Sequence, residues 1–377
     1  MTPTDETARG PLRSRSPRRA RARRTAAGSV SVLVALALLI AMGLMPTDYV
    51  IQQPGPVFNT VGTVEMGEGE DPVPLIEVSD AETYETSGEL DLTTVQVLGN
   101  REQRISWVEL ALAWFDPSRA IVPIDAVFPE GVTTEERDAQ NAALMTDSQG
   151  QASAAALTQL GYDVPADIRV AGLPEGSPSE GIIEEGDRIV AAQGEHLHDI
   201  DQLREIIGAG EGDPIALTIE RDGSEHDVEV TPVRSDAAGG SSWAIGVGLS
   251  TTYELPLDVR IQLDDVGGPS AGLMFALGII DVLTEGELTG GERIAGTGTI
   301  TAPGEVGPIG GIRQKLYGAE EAGADFFLAP AANCDEVVGH VPDGLRVVRV
   351  ETLGEALDAV EAIAADGADE LPTCEAG

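Results

Sequence analysis

The stretch DDVGGPSAGLMFALGIIDVL, residues 264–283, joins a glycine-proline turn to apolar residues at helical spacing. This pattern predicts a helix that begins at Ser270 and ends at Leu283. Backbone N–H groups at a helix N-terminus lack intrahelical partners and can stabilise an oxyanion. Ser270 is therefore a candidate nucleophile, with Gly268 in the turn as a supporting residue. The alternative for Ser270 is an ordinary helix N-cap.

A nucleophilic serine needs a base, and Lys315 is the only lysine in the chain. It lies in GPIGGIRQKLYGAEEAGA, residues 307–324, after a glycine-rich turn and at the start of a predicted helix. Arginine remains protonated at physiological pH and cannot act as a base. Burial lowers the pKa of a lysine by about 3 to 5 units. The sequence therefore predicts a buried Lys315 that accepts the proton of Ser270.

The four histidines offer no convincing partner for Ser270. His196, His198 and His226 lie in the middle of the chain, and His340 lies in a predicted turn. Two histidines on one face of a strand could bind a metal, but His196 and His198 have no further ligands beside them. We therefore predict no metal and no cofactor.

Residues from about 150 to 234 follow one order of elements. A strand at IRVAGL precedes a turn, the segment GDRIVAAQGEHL, a helix over Ile200–Ile207 and a hairpin with Asp-Gly at its turn. This order resembles a PDZ domain. The resemblance implies a groove between a strand and the helix, into which an extended peptide binds by strand addition.

The loop that would bind the carboxylate of such a peptide is assigned to Leu160, Gly161 and Tyr162. Gly161 has an alternative role, because it also fits the C-cap of the alanine-rich helix that precedes it.

The N-terminal region predicts a membrane anchor. Residues 26–45 form an uncharged apolar run that is long enough to span a bilayer, and arginines precede it. The tail, residues 1–25, is then cytoplasmic and the rest extracytoplasmic; the alternative is a cleaved secretory signal.

Cys334 and Cys374 fit an oxidising compartment as a disulfide, or remain two free thiols. A formal net charge of −41 argues against nucleic-acid binding.

The segments GGPSAG and GTGTITAPGEVGPIGGIRQK are similar to two motifs of the proteolytic domain of Lon peptidases. The resemblance implies that Ser270 is the nucleophile and Lys315 the base of a Ser-Lys dyad. It also implies that Thr297 orients Lys315, although Thr297 is equally explained as a strand residue. Many ATP-dependent relatives have an acidic residue where this chain has Gly267. A P-loop requires a lysine followed by Ser or Thr, and no such lysine exists here, so an ATP-independent enzyme is expected.

Together these patterns predict an α+β fold, with a Lon-type proteolytic domain, an inserted PDZ domain and one preceding transmembrane helix. The expected function is an extracytoplasmic serine endopeptidase for peptides or unfolded proteins; the alternative is a non-catalytic membrane-tethered PDZ adaptor. The family resemblance implies a homo-oligomer, a hexamer. The predicted segments are a cytoplasmic tail (1–25), a transmembrane helix (26–45), the first part of the proteolytic domain (46–129), a helical lead-in and PDZ domain (130–234), a linker (235–242), the catalytic domain (243–365) and a C-terminal tail (366–377).

Overall fold

The computed structural model describes residues 45–375 except 66, 68–70, 130, 236–241 and 264–265, together with seven residues between 33 and 43. The predicted transmembrane helix lies largely outside the described residues, and the predicted cytoplasmic tail lies wholly outside them. Within the described part, no helix combines the length and the apolar character needed to cross a bilayer. The chain divides into two compact units, residues 1–51 with 97–129, and residues 52–96 with 130–377.

The strands of the described residues are short, apart from β1 and β5. In chain order they are β1 (Tyr49–Asn59), β2 (Thr63–Val64), β3 (Val73–Pro74), β4 (Ile76–Ser79), β5 (Glu89–Leu98), β6 (Ala120–Pro123), β7 (Ala166–Gly172), β8 (Arg188–Ala192), β9 (Glu195–His196), β10 (Ile215–Arg221), β11 (Ser224–Val230), β12 (Val233–Ser235), β13 (Ser242–Ala244), β14 (Gly248–Tyr253), β15 (Asp258–Ile261), β16 (Arg293–Gly296), β17 (Thr299–Ile300), β18 (Val306–Gly307), β19 (Phe326–Pro330) and β20 (Arg346–Val350).

The α-helices of the described residues from Met45 onward are α1 (Trp107–Ala113), α2 (Ile124–Val127), α3 (Thr134–Gln159), α4 (Ile200–Ala209), α5 (Gly272–Leu283), α6 (Ile312–Ala322), α7 (Cys334–Val337) and α8 (Leu353–Ala364). Short 3₁₀ helices cover Ala331–Asn333 and Ala368–Glu370.

A mixed sheet with the strand order β20-β19-β16-β5-β1 lies at the centre of the second unit. β5, β16, β19 and β20 run parallel. Alternate residues of β19 pack into different hydrophobic cores, as expected for a sheet with both faces covered. Leu328 packs with α5 and α8, whereas Phe327 and Ala329 pack with α6. The sheet therefore separates α5, which follows Ser270, from α6, which carries Lys315.

Helix α5 is buried along most of its length, from Gly272 to Asp281. Helix α3 packs against it through Met145, Ala152 and Ala155, which share one core with α5. A Cβ atom added to Gly272 would lie 3.0 Å from the Ser148 hydroxyl on α3, so the two helices approach closely there. Helix α3, the predicted helical lead-in to the PDZ segment, thus packs its apolar side into the core around α5.

A second sheet, with the strand order β11-β10-β8-β7-β14, forms a separate core with α4. The hairpin between β10 and β11 turns at Asp222 and Gly223, both at positive φ, as the Asp-Gly pair predicts. The helix predicted over Ile200–Ile207 is confirmed, with the Asp199 side chain accepting the Gln202 N–H at its N-terminus. It continues to Ala209.

The predicted domain boundary at residue 243 is wrong. β14 pairs antiparallel with β7, and Ile245 is buried in the core of the second sheet. The first and last residues of the predicted linker, Ser235 in β12 and Ser242 in β13, pair with each other. Residues 243–253 therefore complete this module rather than begin the catalytic one.

The first unit contains α1, α2 and β6 and has two small cores. Val50, Ile124 and Phe128 form one, and Ile51 with Ala113 belongs to the other. The predicted first segment, 46–129, is divided between the two units, since residues 52–96 belong to the second unit.

Cys334 and Cys374 form a disulfide that joins the C-terminal segment to the start of α7. In this structure both thiols are therefore bonded rather than free. Closing a loop of 40 residues is expected to stabilise the folded state by about 3 to 4 kcal/mol.

Candidate active site

Ser270 lies at the end of the glycine turn, just before α5. Gly268 has a φ of +89°, in the left-handed region that favours glycine, and its N–H donates to the Asn141 carbonyl at 3.0 Å. A Cβ atom on Gly267 would lie 2.7 Å from the Cβ of Asn141. The turn thus needs glycine at both positions: Gly268 for its backbone conformation, and Gly267 for its close approach to α3.

The hydroxyl of Ser270 does not cap α5. The helix begins at Gly272, the residue in the N-cap position is Ala271, and no side chain caps this end among the described residues. The Ser270 Oγ instead lies 3.0 Å from the Nζ of Lys315. The ordinary N-cap interpretation is therefore wrong.

Lys315 reaches Ser270 from the first turn of α6. Gly311 precedes this helix with a φ of +71°, and a Cβ atom there would lie 2.8 Å from Val95 on β5. The Lys315 side chain is 2% exposed. Its Nζ donates to the Thr93 carbonyl at 2.5 Å and contacts the Ser270 hydroxyl. The glycine turn and β5 together aim the only lysine at the candidate nucleophile.

Burial lowers the pKa of Lys315 from 10.5 to about 7. The cause is desolvation, which disfavours the ammonium form where neither water nor a carboxylate stabilises its charge. In the described residues, no carboxylate forms an ion pair with Lys315. A neutral amine beside a serine hydroxyl can accept its proton, which an ammonium cannot do.

Thr297 has a different partner from the one predicted. Its hydroxyl donates to the backbone carbonyl of Ser270 at 2.8 Å, and the Gly298 N–H donates to the same oxygen at 3.0 Å. Thr297 is fully buried. The predicted orientation of Lys315 by Thr297 is wrong; Thr297 fixes the backbone of the serine, and the Thr93 carbonyl holds the lysine.

The sequence patterns do not predict two contacts of the site. The Thr93 carbonyl belongs to a residue 222 positions before Lys315, and a backbone acceptor leaves no residue-type signal. Ser148 on α3 donates its hydroxyl to the Pro269 carbonyl at 3.1 Å and so supports the turn before Ser270. A serine within an alanine-rich helix gives little indication of this contact.

A cavity of about 380 Å³ opens onto Ser270 and Lys315. Its lining includes Ser270, Lys315, Gly267, Met145 and the β5 residues Thr93 to Gln96. The backbone N–H groups of Ser270 and Ala271 have no hydrogen-bond acceptor among the described residues. Donors of this kind beside a nucleophile can bind the oxyanion of a tetrahedral intermediate. Asp264 and Asp265 lie outside the described residues.

A second cavity, of about 840 Å³, lies between α4 and residues 242–249. Ile200, Leu203 and Ile207 of α4 form one wall. The opposite wall contains Gly246, which has a φ of +69°. The hydroxyl of Ser177 donates to the Gly246 carbonyl, and that of Ser179 donates to the Ile245 carbonyl. These two hydrogen bonds hold the loop in place. The N–H groups of residues 245–247 have no acceptor within the part of the chain that the structure describes. We name this cavity the α4 groove.

The predicted carboxylate loop lies elsewhere and has no free N–H groups. Leu160, Gly161 and Tyr162 donate to the carbonyls of Ala156, Thr158 and Leu157, all in α3. Gly161 has a φ of +87°, as a helix cap requires. The structure therefore favours the helix-cap alternative for these residues. The sequence AIGVGL at 244–249, which predicts only a strand, supplies the loop of the α4 groove.

Residues 264–362 match the family model of the Lon protease (S16) C-terminal proteolytic domain. The Lon protease 2 of Herpetosiphon aurantiacus is 39% identical over 108 residues, which cover 27% of this chain and 13% of that protein. The Lon protease of Helicobacter pylori is 33% identical over 131 residues, which cover 34% of this chain and 15% of that protein. The chain spans less than a fifth of the length of these curated relatives. The resemblance predicted from the two motifs is confirmed for this segment.

Two solved structures each match part of this chain. The PDZ domain of the SdrC-like protein from Listeria monocytogenes covers 22% of this chain and 86% of its own, at 17% identity and a TM-score of 0.20. The solution structure of GtR34C from Geobacillus thermodenitrificans covers 22% of this chain and 94% of its own, at 24% identity and a TM-score of 0.20. The PDZ domain stays a prediction.

Proposed function

We propose that this chain is an ATP-independent, membrane-anchored serine endopeptidase that uses a Ser270-Lys315 dyad. The observation that carries the proposal is the 3.0 Å contact between the Ser270 hydroxyl and a buried lysine whose pKa is lowered to about 7. Similarity of residues 264–362 to the Lon proteolytic domain supports the same chemistry.

In the proposed reaction, the neutral Lys315 amine accepts the Ser270 proton while Oγ attacks the carbonyl carbon of the scissile peptide bond. The N–H groups of Ser270 and Ala271 then bind the oxyanion. The Lys315 ammonium protonates the leaving amine, the C–N bond breaks, and an ester to Ser270 remains. Water attacks this ester while Lys315 accepts its proton. The C–Oγ bond then breaks, Lys315 returns the proton to Ser270 Oγ, and the acid product leaves. The Thr93 carbonyl keeps the amine aimed at Oγ in both steps.

Independence from ATP is supported by the sequence of the chain. Its one lysine is followed by Leu316, so the chain has no P-loop of the Gly-Lys-Ser/Thr form. A protease without an unfoldase is expected to cleave flexible peptides or unfolded proteins. The apolar run at 26–45, the arginines before it and the Cys334–Cys374 disulfide support an extracytoplasmic location. A homo-oligomer, the hexamer implied by the family resemblance, remains part of the proposal.

We also propose that the α4 groove binds extended peptides and presents substrates or regulatory peptides to the enzyme. The support comes from three features: apolar side chains on α4, unoccupied N–H groups at residues 245–247, and β14 at one end of the strand order of its sheet. Added strands pair with exposed strand edges, and free N–H groups bind carboxylates.

The dyad is tested with Ser270→Ala and Lys315→Arg, assayed on a reduced and alkylated protein substrate. Each variant is expected to lose activity at least ~1000-fold, because the two residues act as one unit. Arg313→Lys, an exposed exchange on the same helix, is the matched control and should retain full activity.

Wild-type activity in Ser270→Ala or Lys315→Arg would contradict the dyad. A folded wild-type protein that binds peptides, cleaves none and forms no ester at Ser270 by mass spectrometry would support the non-catalytic adaptor instead.

A further inference from the structure

The first unit exposes an apolar face on α1 and the turn that follows it. Trp107 is 44% exposed, Leu112 67%, Trp114 76% and Phe115 85%. At about 100° per residue these side chains lie on one side of a helix, whereas Leu110 and Ala113 turn toward the small core. Elsewhere in the described residues after Tyr49, exposed large apolar side chains are scattered singly, at Leu144, Tyr162, Val233 and Val341. We name the four clustered residues the α1 face.

The α1 face begins where the chain leaves the apolar run at 26–45. Pro46 forms an antiparallel bridge with Ser106, the N-cap of α1. Thr47 donates both its N–H and its hydroxyl to the Ile105 carbonyl, at 2.9 and 3.0 Å. At helical rise, the nine residues from Trp107 to Phe115 extend about 13 Å from this point. Every residue of the face therefore lies close to the end of the run.

The charge of this unit also distinguishes it from the rest of the chain. Residues 46–51 and 97–129 carry three arginines and five acidic residues, whereas the remaining chain after residue 25 carries twelve basic and 57 acidic residues. Anionic membranes repel a strongly acidic body. A nearly neutral surface with two tryptophans and a phenylalanine has the composition of a membrane interface, where amphipathic aromatic rings are enriched.

We propose that the α1 face inserts into the interfacial layer of the membrane that holds the chain. This inference depends on the proposed membrane anchoring but not on the protease chemistry. The face adds a second attachment beside the apolar run, since a short amphipathic helix in the interface buries its apolar side among lipid headgroups and acyl chains. Two attachments limit the rotation of the first unit on the bilayer. A second copy of the chain is the competing occupant of this face.

The three tryptophans of the chain provide the test, because two lie on the α1 face and the third, Trp243, lies in the module of the second sheet. The full chain is reconstituted into phosphatidylcholine vesicles with either ordinary or brominated acyl chains. In Trp243→Phe, the two remaining tryptophans are expected to lose most of their fluorescence in brominated vesicles. In the control, Trp107→Phe with Trp114→Phe, the emission of Trp243 should not change.

Flotation of the vesicles separates the possible failures. If the protein does not float with the vesicles, the anchoring is wrong and the inference falls with it, whatever the protease activity. If it floats and the α1 tryptophans are quenched by aqueous acrylamide but not by bromine, the face is in water and the inference is wrong. Shielding from both quenchers, with cross-links between chains at residues 107–115, would assign the face to a second copy and also overturn it.

Discussion

The dyad and the α4 groove lie in the same unit. The chemistry proposed for the dyad depends on two side chains, whereas peptide binding proposed for the groove depends largely on backbone groups. At the dyad, two side chains perform the proposed chemistry, and few side-chain types can supply a nucleophile or a base. In the α4 groove, backbone N–H groups and general apolar surface make the contacts. Chemistry that depends on residue type can be located from a sequence, whereas a site made of backbone is located only by folding. The following predictions test this difference.

The largest effect is expected from Lys315→Met. This variant should be inactive yet more stable, by about 2 to 4 kcal/mol at pH 7, because it removes the cost of burying an amine whose pKa is lowered to about 7. The unfolded chain binds more protons than the folded one between pH 7 and 10.5, so wild-type stability should rise with pH in that window. Urea unfolding at several pH values measures both effects. Equal stability of variant and wild type at pH 7 would show that Lys315 is not desolvated.

The pH dependence of kcat/KM should follow the same group. Lys315 acts only as the neutral amine, so activity should reach a plateau above its pKa of about 7 and fall about tenfold per pH unit below it. The substrate should have no group that titrates between pH 5 and 8. A profile that stays flat to pH 5 would exclude Lys315 as the base.

Thr297→Val is expected to lower kcat by about tenfold, because it removes the hydroxyl that donates to the Ser270 carbonyl and leaves this buried acceptor with one partner fewer. Thr297→Ser keeps the hydroxyl and should restore most of the activity. KM should change little in either variant, since Thr297 positions the nucleophile and does not line the cavity. A similar loss in the serine variant would indicate a packing role instead.

The smallest effect is expected at the groove. In Gly246→Ala the new Cβ would lie 2.5 Å from Pro178 at a positive φ, and peptide affinity should fall several-fold without loss of dyad chemistry. Gly161→Ala is the matched control, because it also has a positive φ but no neighbour within 4 Å. Fluorescence anisotropy of a labelled C-terminal peptide measures both. If Gly161→Ala weakens binding and Gly246→Ala does not, the carboxylate loop lies at residues 160–162.

The sequence predicted much of the local structure around these sites. The Asp-Gly hairpin, the helix after Asp199 and the cap at Gly161 follow from short-range propensity and are present. Boundaries between modules were less predictable. The segment at 243–253 alternates like any strand, and only its pairing with β7 assigns it to the second sheet. The sequence of helix α3 likewise does not identify its partner, since a small-residue helix can pack against many partners.

The sequence by itself determined which residues can perform chemistry. A single lysine in a chain of arginines, and a serine after a glycine-proline turn, are signals of residue type, because lysine can supply a base where arginine cannot and serine can supply a nucleophile. Tertiary structure alone decided what surrounds them. Contacts such as the Thr93 carbonyl on Lys315 and the Thr297 hydroxyl on Ser270 join segments that are distant in the chain. Burial also depends on the fold, and it is burial that lowers the pKa of Lys315 to the range that the proposed base requires.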